Sequence, residues 1–279
     1  MKYGTLVRIP EGCDLVTVSN EKFAKIKEMG LESCQLVYKP KVYNTADAEI
    51  VKAAAEKHGI EISAQFCGYY DTYCNWDVKY DYRMAGINSP FFGASRIEYL
   101  VSAIPFLKAV GTTDMIIHAG FVPNDPFAPE YTNMLCAVKI LGRKLKANGL
   151  NLLFETGGES PVTLLRLITE TELDNLFINL DTANLIMYGY GNPVDAMYTF
   201  GKYVRNVHAK DGLPPTEPGK LGKETVIGEG YVDFEKVFKA LKDLGYDRFI
   251  TIENELSLDV SNEVILNAFD YLKEIWSRV

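Results

Sequence analysis

At 279 residues, with 47% hydrophobic and 24% charged side chains, the chain has the length of one α/β barrel, or of two small domains, and the apolar material for a large core. A formal net charge of −8 without any basic stripe disfavours non-specific polyanion binding, because phosphate neutralisation needs clustered Lys and Arg. The five cysteines (Cys13, Cys34, Cys67, Cys74, Cys136) are odd in number and form no Cys-x-x-Cys pair, which excludes a disulfide framework and a structural zinc site.

The N-terminal MKYGTLVRIPEGCD carries no apolar leader core, and no apolar run approaches the ~18 residues of a membrane span. The expectation is a soluble, reduced, cytoplasmic protein without nucleic-acid or membrane partners.

Eight short apolar segments alternate with eight helical patterns. The predicted strands are Tyr3–Ile9, Ser33–Val37, Glu61–Cys67, Asp114–Ala119, Asn151–Thr156, Phe177–Thr182, Val204–Lys210 and Phe249–Glu253, rich in Val, Ile, Leu and Phe as buried parallel strands are. Helical periodicity fills the intervals at Glu21–Met29, Ala46–His58, Arg96–Val110, Tyr131–Ala147, Val162–Thr171, Pro193–Tyr203, Phe234–Leu244 and Ser261–Arg278. Gly30, Gly59, Gly111, Gly149 and Gly245 each follow a helix and precede a strand, where a left-handed cap belongs.

A βα unit repeated eight times closes into a (β/α)₈ TIM barrel. A doubly wound open sheet would show a glycine-rich first βα turn, but IPEGCDL has one glycine. No linker interrupts the pattern, so residues 1–279 are expected to form one domain. The connections after the third and seventh strands are long. The first of these holds Tyr69, Tyr70 and Trp76, aromatic candidates for stacking on a substrate at the carboxyl-end mouth of the barrel.

Alternation along the strands selects the inward residues. In NLLFE, Leu152 and Phe154 face the helices and Glu155 faces inward. In FINLD, Asn179 and Asp181 face inward; in VRNVHAK, Asn206 and His208; in FITIE, Thr251 and Glu253; in DMIIH, His118. Glu155, Asp181, His208 and Glu253 therefore converge from four strand ends on one rim. Three carboxylates there would repel one another and resist desolvation, and a divalent cation resolves both problems. Three oxygen donors and one imidazole suit one ion, Mn²⁺ first, with Mg²⁺, Co²⁺ and Zn²⁺ also fitting. Beyond His208, Lys210 and Asp211 can pair with each other, and Gly228-Glu229-Gly230 reads as a turn rather than a phosphate cradle.

The segments FETGGE, NLDTAN, VHAKDG and GEGYVDFEKVFKALKDLGYDRFITIENE resemble the sugar phosphate isomerase/epimerase superfamily, the xylose isomerase-like TIM barrels. The likeness is strongest from the fourth strand to the C-terminus. It implies a metal held by Glu155, Asp181, His208 and Glu253, with Glu155 and Glu253 also moving a substrate proton. It further implies a small sugar or polyol as substrate, and such barrels are often homo-oligomers, dimers or tetramers; His118, Lys210 and Glu159 are the candidates for substrate contacts. The strand-six motif Asp-Thr-x-His of many members is here Asp181-Thr182-Ala183-Asn184. The three-zinc endonuclease-like branch needs that histidine and an Asp-x-His before the Gly-x-Gly turn, where this chain has Gly222 and Glu224. One metal ion is expected.

The resemblance implies a metal-dependent isomerase or epimerase working through an enediolate. Dehydration of a cyclic polyol ketone, as by inosose dehydratases, begins with the same proton abstraction, and a barrel that binds sugar without turnover is the alternative from another class.

Overall fold

A computed structural model describes residues 1–39, 42–68, 84–256 and 262–279. Eight parallel strands close into a barrel: β1 (Lys2–Val7), β2 (Ser33–Val37), β3 (Glu61–Phe66), β4 (Asp114–Ile117), β5 (Asn151–Glu155), β6 (Leu176–Asp181), β7 (Val204–Ala209) and β10 (Phe249–Ile252). β1 pairs in parallel with both β2 and β10, so the sheet has no free edge. Two short strands outside the barrel, β8 (Asp211–Leu213) and β9 (Lys223–Thr225), form an antiparallel hairpin within the long connection after the seventh predicted strand.

The helices are α1 (Leu15–Glu28), α2 (Ala48–His58), α3 (Gly93–Ser102), α4 (Ile104–Val110), α5 (Pro129–Lys146), α6 (Pro161–Glu170), α7 (Asn184–Met187), α8 (Pro193–Phe200), α9 (Phe234–Asp243) and α10 (Asn262–Arg278). The five predicted cap glycines all take positive φ, between 68° and 91°. α1 starts earlier than its periodicity suggested, because the Asp14 carboxylate accepts from the Val16 amide and the Thr17 hydroxyl and caps the helix there. The helix expected over Arg96–Val110 breaks at Ala103 into α3 and α4. Pro105 is the cause: it brings no N–H and its ring clashes with the carbonyl of Val101, so it is tolerated only in the first turn of a new helix.

The core has two shells. Outward residues such as Leu36, Met115, Leu152, Phe154, Ile178, Val207 and Ile250 are buried under the helices. Inside the barrel, Ala64, Ile116 and Leu153 pack with Phe66 and Phe177. Because side chains alternate, Leu153 inward puts Glu155 inward, and Ile116 puts His118 inward.

Below this apolar layer, at the amino ends of the strands, Asp114 is fully buried. Its carboxylate accepts from Arg205 Nε at 2.7 and 2.9 Å, from Asn151 Nδ2 at 2.8 Å and from Arg248 Nη2 at 3.4 Å. This plug ties β4, β5 and β7 to the start of β10 and closes the end of the barrel away from the expected chemistry.

Candidate metal centre and active site

The strand register sets the site. Asp181 pairs with His208 across β6 and β7, Thr251 pairs with His208 across β7 and β10, and Glu155 pairs with Asn179 across β5 and β6. Four consecutive strands of the barrel therefore deliver Glu155, Asp181, His208 and Glu253 to one rim. One donor atom from each lies within 4.8 Å of the others, and all four side chains are buried.

The donor chemistry fits a cation. His208 Nδ1 lies 2.9 Å from both Glu155 Oε1 and Glu253 Oε2. Its other nitrogen, Nε2, sits 2.7 Å from Gln35 Oε1, and the Gln35 amide nitrogen donates to Asn179 Oδ1 at 3.3 Å. An amide oxygen can only accept, so Nε2 carries a proton and donates it to Gln35. In the neutral imidazole the Nδ1 lone pair then faces two carboxylate oxygens, a repulsive arrangement unless a proton or a metal ion lies between them. Asp181 Oδ2 is buried without a hydrogen-bond partner among the described residues, while Glu155 Oε2 faces His118 Nε2 at 3.0 Å and Glu253 Oε2 faces His208 Nδ1 at 2.9 Å. Asp181 Oδ1, in contrast, accepts from the Ala183 and Asn184 amides at 2.8 Å, which orients the carboxylate through the first turn of α7. Three buried carboxylates clustered around one imidazole lone pair are what a divalent cation would satisfy.

Without a cation the charges balance through protons. Burial disfavours the His208 imidazolium, but Glu253 and Glu155 outweigh it and hold the imidazole well above its ordinary range. Burial holds the Asp181 carboxyl well above the usual carboxylate range, against the pull of Lys210. Burial would also raise Glu253, yet Lys210 and His208 bring it well below the usual range.

Other predicted site residues are placed around this centre. His118 Nε2 lies 3.0 Å from Glu155 Oε2. Lys210 is 4% exposed, and its ammonium lies 2.7 Å from Glu255, 3.8 Å from Glu224 and 3.9 Å from Glu253. It does not pair with Asp211. The Asp211 carboxylate instead accepts from four backbone amides: Gly212 and Val232 on one oxygen at 2.8 and 3.0 Å, Gly228 and Gly230 on the other at 2.9 and 3.0 Å. A Cβ at Gly230 would fall 2.1 Å from Asp211 Oδ1, so the Gly-Glu-Gly turn is glycine-rich because it folds tightly around a buried carboxylate. Glu159 is buried in the loop after β5. Tyr69, Tyr70 and Trp76 lie outside the described residues.

Sequence reasoning missed Gln35, Glu224 and Glu255. Gln35 had a signal: it is the polar residue at the inward parity of SCQLV, between Cys34 and Leu36, which face the helices. Glu224 and Glu255 had none, since they meet Lys210 only through the β8–β9 hairpin and the segment after β10.

Inosose dehydratase of Clostridium beijerinckii is 27% identical over 152 residues, 48% of this chain and 51% of that protein. The chain thus spans about half the length of that relative. Among solved structures, a xylose isomerase domain protein from Planctomyces limnophilus superposes with a TM-score of 0.86 at 27% identity, covering 99% of this chain and 96% of that one. D-psicose 3-epimerase with D-tagatose, from Clostridium cellulolyticum H10, shares the fold with a TM-score of 0.73 at 13% identity, over 99% of both chains. The family model described as xylose isomerase-like TIM barrel matches residues 23–275, and the chain belongs to that family.

Proposed function

We infer that the chain is a metal-dependent sugar or polyol isomerase/epimerase that moves a proton at the carbon next to a carbonyl. The observation that carries this reading is the meeting of three buried carboxylates with an imidazole lone pair at the carboxyl rim of the barrel. When bound there, a divalent cation polarises the substrate carbonyl and offsets the charge that develops as the adjacent C–H is lost.

The chain's own residues do the rest. Glu155 and Glu253 stand on the two end strands of the four-strand arc and approach the same His208 nitrogen at 2.9 Å, so they flank one position. One, ionised, takes the proton as general base. The other, protonated, returns one to the opposite face in epimerisation, or to the neighbouring carbon in isomerisation. In this reading His118, 3.0 Å from Glu155, and Lys210, 3.9 Å from Glu253, contact substrate oxygens.

The test is solvent exchange. With Mn²⁺ added in D₂O, a panel of ketoses and inososes should acquire deuterium next to the carbonyl. Glu155→Gln and Glu253→Gln should each abolish the exchange in a chain that remains folded by circular dichroism. Exchange retained in both variants would remove these roles, and no exchange with any substrate would favour a sugar-binding barrel without turnover.

A second reading, dehydration of a cyclic polyol ketone, is favoured by the similarity to inosose dehydratase. Product mass separates the two, since only dehydration loses water.

A further inference from the structure

A second cavity, about 350 Å³ in volume, opens between the segments that follow β4 and β5. Its walls include Phe121, Asn124, Asp125, Glu130, Glu159 and Tyr190, and none of the four clustered donors lines it. The volume is at the lower end of the roughly 300–1,000 Å³ of small-molecule pockets.

Its polar anchor is unusual. Glu159 is 5% exposed and its Oε1 has no hydrogen-bond partner. A buried carboxyl oxygen left without a partner is costly, and a ligand in the cavity would relieve that cost. Burial also pushes this carboxyl up to about 8, so at neutral pH it is both an O–H donor and an acceptor.

The electrostatics disfavour one large class of occupant. Among the described residues the lining carries the carboxyl groups of Asp125, Glu130 and Glu159 and no Lys, Arg or His. Arg166, which reaches this loop, commits Nη2 to the carbonyls of Pro123 and Asn124 at 3.0 Å. A phosphate would meet like charge from Asp125 and Glu130. A hydroxyl meets a group that can donate to it or accept from it, and Phe121 and Tyr190 offer apolar faces to the carbon side of a sugar ring.

The cavity also neighbours the metal centre. Thr156, Gly157 and Gly158 join Glu155 to Glu159, and a Cβ on Gly157 would meet the Tyr188 ring at 3.2 Å and one on Gly158 the Phe121 ring at 2.8 Å. These two rings pack edge to face with centroids 6.0 Å apart. Burial, opposed by Lys210 and reinforced by Glu155, Glu159 and Asp181, pushes the Tyr188 phenol up, so this ring is within electrostatic reach of both sites.

We propose that this cavity is a subsite for an uncharged hydroxylated group, a second sugar ring joined to the one that reaches the metal centre, with Glu159 as its hydrogen-bonding anchor. The substrate class is then a neutral glycoside rather than a sugar phosphate. The assignment rests on reading the rim cluster as the reacting site, because an occupant that touches both must extend beyond one ring.

Calorimetric titration of the Mn²⁺-loaded chain with D-glucose, cellobiose and glucose 6-phosphate tests it. Cellobiose should bind at least tenfold more tightly than glucose, and glucose 6-phosphate no more tightly than glucose. Glu159→Met, which keeps the volume and removes both polar atoms, should erase the cellobiose advantage, whereas Glu159→Gln should keep it to within about threefold. Equal binding of glucose and cellobiose, a preference for the phosphorylated sugar, or an undiminished advantage in Glu159→Met would each overturn the subsite. The wild-type comparison decides even without the variants. Titration with Mn²⁺ alone reads the rim cluster separately: no uptake with the cellobiose preference intact would sink the metal centre, and uptake without that preference would sink the subsite.

Discussion

Gln35 fixes which nitrogen of His208 is offered to the rim: its Oε1 accepts from Nε2 at 2.7 Å and leaves Nδ1 facing Glu155 and Glu253. Gln35→Leu removes the acceptor and buries an unpaired N–H, costing about 1–3 kcal/mol locally. Loss of such a supporting contact typically weakens metal binding ~10–100-fold, and a fall of that size in Mn²⁺ affinity, read by calorimetry with the circular dichroism spectrum unchanged, is expected. Unchanged affinity would show that the imidazole is oriented without Gln35.

Metal uptake should release protons. In the metal-free chain the carboxylates of Glu253 and Glu155 hold His208 protonated against burial, and burial holds Asp181 protonated against Lys210. A cation needs both groups unprotonated, so affinity should rise with pH while they retain their protons. Titration near pH 7 in two buffers of different ionisation heat should show release of about one to two protons per Mn²⁺.

The folded chain should lose stability through Glu159 as pH rises. Burial lifts its carboxyl from 4.5 to about 8. Between these values the unfolded chain has lost the proton that the folded chain keeps, so unfolding is favoured by about 1.4 kcal/mol per pH unit. Below the unfolded value both forms are protonated and the effect vanishes. Glu159→Gln removes the dependence, so its melting temperature relative to wild type should climb from pH 5 to pH 8. A constant difference over that range would contradict a buried, protonated Glu159.

Asp114→Ala should destabilise the barrel and leave the rim intact. It removes the fully buried carboxylate that Arg205, Arg248 and Asn151 share. Breaking a buried pair costs ~3–5 kcal/mol, and the lower end applies because Arg205 is 25% exposed and can recover water. Chemical denaturation should report a loss of about 3 kcal/mol, with Mn²⁺ affinity unchanged.

What the sequence by itself determined was everything governed by local periodicity. Alternation within single strands put Glu155, Asp181, His208 and Glu253 on the inward side, and glycines after helices marked the αβ turns, because both depend only on backbone geometry over a few residues. The break at Ala103 was missed, although Pro105 carries its signal: the periodicity of Arg96–Val110 reads as one helix where the structure has α3 and α4. The tertiary structure alone decided how distant residues meet. Barrel closure brings Gln35 to His208, 173 positions away, and Arg205 to Asp114, 91 positions away. It also turned Asp211 from an apparent partner of Lys210 into the acceptor for four amides of the following loop. These pairings are chosen by strand register and loop path, and by which buried polar groups must be satisfied, none of which leaves a periodic trace in the chain.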